Sequence, residues 1–163
     1  MQEFTQKYAI VQLLEETTEG AEFSASEWPL HVTIVDVFAI NWSAQEMAER
    51  LMTLLTGRPP ATASAMGHTY FGPNQDVQVT LLVRTDSLTK LHGDVYALLE
   101  RGGLKMNNPQ FAHEGFRPHA TVQKHAALKP GDTVVLNALT IIDMFPGGDP
   151  HRRKVLKTIN LGV

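Results

Sequence analysis

Pro29-Leu30-His31-Val32-Thr33-Ile34 and Pro118-His119-Ala120-Thr121-Val122 are the two stretches on which the fold turns. Each opens on a proline and runs on through an imidazole, a hydroxyl and alternating apolar residues. Residues i and i+2 of a β-strand point to the same face. His31 and Thr33 therefore share a face, with Val32 and Ile34 opposite; His119 and Thr121 share a face, with Ala120 and Val122 opposite. Each strand presents an imidazole beside a hydroxyl on one side and anchors itself in apolar core on the other. His and Thr are ordinary on half-exposed strand faces, so one such strand says little. With apolar neighbours required, roughly 0.1 matches are expected from the composition. This chain has two, 88 residues apart, one in each half.

The flanking sequence supplies the rest of the architecture. Lys7–Leu14 and Leu30–Phe38 read as strands, and the polar stretch Glu15–Glu27 between them as a loop. Asn41 or Ser43 caps a helix (Ser43 with Glu46 has capping-box spacing) that carries Met47, Leu51, Leu54 and Leu55 and stops at Gly57 and Pro59-Pro60. Ala61–Tyr70 is a weaker strand, Phe71–Asn74 a turn, and Val77–Val83 an alternating strand. Asp86 or Ser87 opens a second helix with Leu88, Leu91, Val95, Leu98 and Leu99 on one face, ended by Gly102-Gly103. A loop, Leu104–Gly115, leads to a strand over Arg117–His125. Two strands follow, Val134–Met144 and Arg153–Leu161, joined by a turn holding Pro146, Gly147, Gly148 and Pro150. The order β β α β β α β β β favours a mixed, mostly antiparallel α+β fold over a doubly wound one.

The chain has 163 residues, enough for one domain or two tightly joined lobes. It has no cysteine, which excludes disulfides, thiolate nucleophiles and cysteine-held zinc or iron–sulfur sites. No stretch is apolar enough to span a membrane, and Met1–Ile10 has no signal-peptide core, so a cytoplasmic location is expected. The net charge of −3 argues against a coat protein for long nucleic acid. That charge is unevenly spread: −8 over residues 1–49, zero over 50–100 and +5 over 101–163. An anion is better sought in the C-terminal half.

Seven histidines are left as the chemistry that titrates near neutral pH. Two of them facing one cleft suit a phosphodiester, whose cleavage needs a base on the attacking side and an acid on the leaving side. Thr33 and Thr121 can donate to the nonbridging oxygens, and the reaction calls for no metal or other cofactor. His68, His92, His113 and His151 fit no metal-ligand spacing. His125 shares the parity of His119 but lies ~20 Å further along an extended strand.

Neighbouring residues carry two readings each. Arg117 either contacts phosphate or is a surface arginine at a strand entry. Tyr70 and Phe71 either stack on a base or pack in the core. Trp28 and Trp42 read as core or lobe packing. Arg152-Arg153-Lys154 with Lys157 reads as a solvated turn, with a phosphate or RNA contact as the alternative.

Paired His-x-Thr motifs half a small domain apart resemble those of the two-histidine (2H) phosphoesterase superfamily, which includes 2'-5' RNA ligase and cyclic phosphodiesterase proteins. The resemblance spans nearly the whole chain, including the Phe-Gly-Pro turn (Phe71–Pro73) and the two strands after the second motif. It implies a single domain over 1–163 made of two lobes, with pseudo-two-fold symmetry, outer helices and a central cleft between antiparallel sheets. It implies catalysis by His31 and His119 with phosphate held by Thr33 and Thr121, and hydrolysis or reversible formation of 2',3'-cyclic or 2'-5' linkages. A nucleotide or short RNA is the expected partner, and a monomer away from the membrane the expected state. A nucleotide- or RNA-binding module with little catalysis, or a phosphodiesterase for signalling cyclic oligonucleotides, is the alternative. The family commonly has a helix between the first strand and the first motif. Glu15–Glu27 is too short and acidic for one, so the cleft is expected to be more open there.

Overall fold

The computed structural model describes residues 6–162. Residues 1–5, part of the N-terminal stretch read for an export signal, lie outside it. Among the described residues, ten strands and two α-helices run in the order β1 (Tyr8–Leu13), β2 (Glu22–Ser24), β3 (His31–Ala39), α1 (Ala44–Leu55), β4 (Ala61–Phe71), β5 (Val77–Leu82), α2 (Asp86–Glu100), β6 (Lys105–Met106), β7 (His119–Thr121), β8 (Thr133–Leu136), β9 (Ala138–Asp143) and β10 (Arg152–Asn160). They form two antiparallel sheets. One has six strands in the order β2-β10-β9-β1-β3-β6, the other four in the order β7-β5-β4-β8. The expected mostly antiparallel α+β class is the one observed. No described helix is long and apolar enough to cross a membrane.

The helices form where the sequence places them. Ser43 Oγ accepts the Glu46 N–H at 3.1 Å and starts α1. Met47, Leu51 and Leu55 point inward from it and are fully buried, each worth ~1.5–3 kcal/mol of apolar burial. Thr85, one residue before the expected start, caps α2 by accepting the Leu88 N–H at 3.2 Å. Both helices pack on one core with Val32 and Ile34 of β3, Ala63 and Ala65 of β4, and Leu136 of β8. Trp42 lies flat on Gly102, where a Cβ would come within 2.5 Å of its ring. This is the packing role expected of that tryptophan.

Four segments differ from the expected pattern. Glu22–Ser24 pairs with β10 as a short edge strand, and no helix stands between β1 and β3. Lys105–Met106 adds a short strand on β3. The stretch Arg117–His125 narrows to His119–Thr121, because after Val122 the chain turns back with Gln123 N–H donating to Ala126 O. The long strand Val134–Met144 breaks at Asn137. There the chain leaves the four-stranded sheet and enters the six-stranded one. Gln12, buried on β1, fixes this corner: its Oε1 accepts the N–H groups of Asn137 and Ala138, both at 2.8 Å.

Candidate active site

β3 and β7 run beside one another where the two sheets meet. On β3, Thr33 stands opposite Val11 and His31 opposite Leu13. Val11 belongs to a small apolar cluster on that face with Ile142 and Val155, packed by Trp28 and Phe23. Val32 and Ile34 go to the main core. On β7, His119 stands opposite Leu81 and Thr121 opposite Val79, while Ala120 enters the main core. The alternation expected from the two motifs is what the strands adopt, and both His-Thr pairs are half-buried. Among the described residues neither threonine hydroxyl has a protein partner, so each is free to donate to a ligand.

The two imidazoles are held in matching ways. His31 Nδ1 meets Pro29 O at 2.8 Å, and His119 Nδ1 meets Arg117 O at 2.7 Å. A carbonyl can only accept, so each ring carries its hydrogen on Nδ1 and leaves Nε2 with a lone pair when neutral. In both cases the acceptor is the residue two positions earlier, on the far side of a single residue (Leu30 or Pro118).

Each ring is also backed by an aromatic side chain with an arginine beyond it. Trp28 packs on His31 with ring centres 4.4 Å apart, and the Arg153 guanidinium stands 5.9 Å from the Trp28 ring. Phe71 meets His119 edge-on at 4.7 Å, and Arg117 stands 4.6 Å over Phe71. Phe71 and Arg117 therefore join the site. Arg117 precedes the strand, so it reaches the site over Phe71 rather than along a strand face. Tyr70 does not join them. It stands opposite Gln78 while its neighbour Phe71 stands opposite Val77, so strand alternation turns Tyr70 to the other face. Tyr70 is exposed, so the core-packing reading fails for it, and it stands on the face away from His119.

Electrostatics distinguish the two rings. Burial pushes both below the ordinary imidazole range, and in each the hydrogen bond to the backbone carbonyl opposes the shift. The charge of His119 lowers His31 further. His119 feels Asp36, whose carboxylate favours its protonated form, and Arg117, which disfavours it. Asp36 reaches this position through an irregularity in β3. The β1–β3 register passes from Val11↔Thr33 to Ile10↔Val35, so two successive residues, Ile34 and Val35, are buried and Asp36 is half-exposed. Among the described residues Asp36 has no hydrogen-bond or ion-pair partner.

Glu15 ties the residue before β3 to the turn that follows β7. Its carboxylate accepts the Leu30 N–H, next to His31, and His125 Nε2 lies 2.8 Å from the same oxygen. His125 is four residues beyond Thr121, brought back by the turn after β7. The hydrogen bond to Leu30 is the leading cause of a lowered Glu15 pKa. Arg153, read as part of a solvated turn, is half-buried and donates from one nitrogen to Met144 O at 3.0 Å and Pro150 O at 2.9 Å. Of these residues Trp28 adjoins the first motif directly, and its adjacency was the one available signal. Asp36, Glu15 and Arg153 depend on a bulge, a turn and a strand pairing that no local pattern shows. Among the described residues no group of three or more His, Asp or Glu is placed to hold a metal ion.

Solved structures of other proteins share this fold. The chain is similar to a crystal structure described as a phosphoesterase, with 18% identity and a TM-score of 0.56 over 97% of this chain and 99% of that one. E. coli LigT complexed with 3'-AMP gives 18% identity and 0.56, over 97% and 99%. TT0787 of Thermus thermophilus gives 17% and 0.55, over 96% and 97%. At these identities the likeness is one of fold. No curated protein sequence matches the chain. A family model for the 2'-5' RNA ligase superfamily matches residues 6–143, which takes in both His-x-Thr strands. The chain belongs to the 2'-5' RNA ligase superfamily.

Proposed function

We propose that this protein is a metal-independent phosphodiesterase, a single domain of two lobes, acting on a 2',3'-cyclic phosphate or a 2'-5' linkage in a nucleotide or short RNA. The observation that carries the reading is the matched tethering of His31 and His119, Nδ1 to the carbonyl two residues before. It leaves an Nε2 on each motif strand as a proton acceptor or donor. Superfamily membership supports the reaction class. LigT structures of this fold are complexed with 3'-AMP, ATP and NADP+, which supports a nucleotide ligand.

In this reading neutral His31 is the base and protonated His119 the acid, because Asp36 favours the charged form of His119 alone. His31 Nε2 takes a proton from water as the water oxygen bonds to phosphorus. The bond from phosphorus to one ribose oxygen breaks, and that oxygen receives the Nε2 proton of His119. Thr33 and Thr121 donate to the nonbridging oxygens, where charge accumulates. Ring closure and ligation are the same steps reversed with the roles exchanged.

The test is turnover of nucleoside 2',3'-cyclic monophosphates and of a 2'-5' dinucleotide by purified protein in excess chelator. His31→Ala and His119→Ala should each lose on the order of 10²–10⁴-fold in kcat. Equal turnover in wild type and both variants would refute the assignment. Nucleotide binding with no turnover in wild type would favour a binding module instead.

A further inference from the structure

His92 of α2 is 1% exposed and stands outside the reaction chemistry. Its Nδ1 lies 2.7 Å from Ile34 O, and its Nε2 accepts the His113 N–H at 3.0 Å. Only the neutral tautomer with hydrogen on Nδ1 satisfies both contacts. The two partners belong to the two halves of the site. Ile34 is on β3, three residues past His31, and is the residue that the β1–β3 register skips. His113 is in the segment that delivers Arg117 O to His119.

That segment is held under strain. His113 has φ of 55°, the left-handed region that a residue with a side chain seldom occupies. Arg84 binds His113 O at 2.7 Å and Glu114 O at 3.0 Å, and the ring of His113 packs on Tyr96 at 4.5 Å. Phe116 stacks on His92 itself, 4.1 Å away and within 4° of parallel. The next residue is Arg117, whose carbonyl orients His119.

We infer that His92 is a positioning residue that sets the two catalytic imidazoles relative to one another, one arm reaching the first motif strand and the other the segment before the second. Its surroundings keep it in the required form. Burial lowers its pKa, with smaller contributions from neighbouring His113 and Arg84, against the Ile34 carbonyl, which raises it. The inference rests on the phosphodiesterase reading for its kinetic arm and on the structure alone for its spectroscopic one.

Three variants test it. His92→Phe keeps a ring against Phe116 and loses both hydrogen bonds. His92→Asn retains a donor for Ile34 O, and His92→Gln retains an acceptor within reach of His113 N–H. In folded His92→Phe, kcat should fall on the order of 10²-fold, the usual consequence of a small misplacement, with KM nearly unchanged. The Asn and Gln variants should fall between it and wild type. Long-range ¹H–¹⁵N imidazole spectra should show His119 as the single Nδ1–H tautomer in wild type and as mixed tautomers in His92→Phe. A loss of stability alone would leave that tautomer intact. A folded His92→Phe with wild-type kcat and an unchanged His119 tautomer would overturn the inference. So would failure of all three variants to fold, since His92 would then serve stability. If wild type turns over no phosphodiester, the function reading fails and the spectra alone decide the role of His92.

Discussion

Gln12→Leu should destabilise the protein far more than a conservative exchange of a buried side chain ordinarily does. Leucine fills nearly the volume of glutamine, so no cavity opens. What is lost is the oxygen that accepts the Asn137 and Ala138 N–H groups at 2.8 Å, together with the Nε2 that donates to Leu13 O, a carbonyl that can accept from other donors. A buried donor left unpaired costs ~1–3 kcal/mol. Ala138 is half-buried and meets most of that cost, whereas Asn137 is exposed and recovers part of it from water. The sum is about 2–4 kcal/mol. For a chain of this length that lowers Tm by about 5–15 °C. Urea titration with a parallel thermal melt measures it, and the urea slope should stay constant, because the surface exposed on unfolding is the same. Activity should fall with it, because Asn137 is where the chain passes between the sheets that carry His119 and His31. A loss under ~1 kcal/mol would show that water replaces the glutamine and that the corner does not depend on it.

The pH dependence follows from the directions of the histidine shifts. The base must be neutral and the acid protonated, and both rings titrate below the ordinary range. Both limbs of the kcat/KM profile therefore move down, and its maximum should lie on the acid side of ~6.5. Asp36→Asn removes the charge that favours protonated His119, so the alkaline limb should move to still lower pH; movement of the acid limb instead would reverse the assigned roles. Glu15→Ala should cost about 1 kcal/mol near neutral pH, as for a half-exposed pair. Because the folded-state pKa of Glu15 is lowered, that contribution is present above its unfolded value and lost as pH falls through the folded one, so the variant and wild-type melts should converge in acid. Gly115→Ala drives a Cβ into Gln110 O and should lower both stability and kcat by shifting the segment before His119, seen by thermal melt and initial rates.

The residues to which the proposed reading gives the chemistry are the readable ones, because strand alternation is local. His31, Thr33, His119 and Thr121 needed only their immediate neighbours to be assigned a face, and Ser43 only the Glu46 spacing to be assigned a cap. The residues that position or surround them answer to distant partners. Asp36 faces His119 because β3 slips one residue against β1, which the run Val32–Phe38 does not disclose. Val134–Met144 looks continuous, and breaks because Gln12, 125 residues earlier, takes the two amides at Asn137 and Ala138. His92 sits among Leu88, Leu91 and Val95 on the buried face of its helix, where the sequence offers no sign that both ring nitrogens are engaged. The separation of Tyr70 from Phe71 needed only parity, but parity says which face is which only after the pairing with β5 is known.

The strand order also bears on how the protein is made. β1 is central in the six-stranded sheet, with β3 on one side and β9, residues 138–143, on the other. Neither sheet is a contiguous piece of chain. Contacts between segments so far apart are slow to form, since the intervening loop must close first. During synthesis the strand bearing His31 would emerge early and wait, with one side of its neighbour β1 unpaired, until the last quarter of the chain arrives. A shortened chain ending after the second motif would hold both histidines and no finished sheet to aim the first of them. Such a product should be a substrate for chaperones and proteases rather than a weak enzyme.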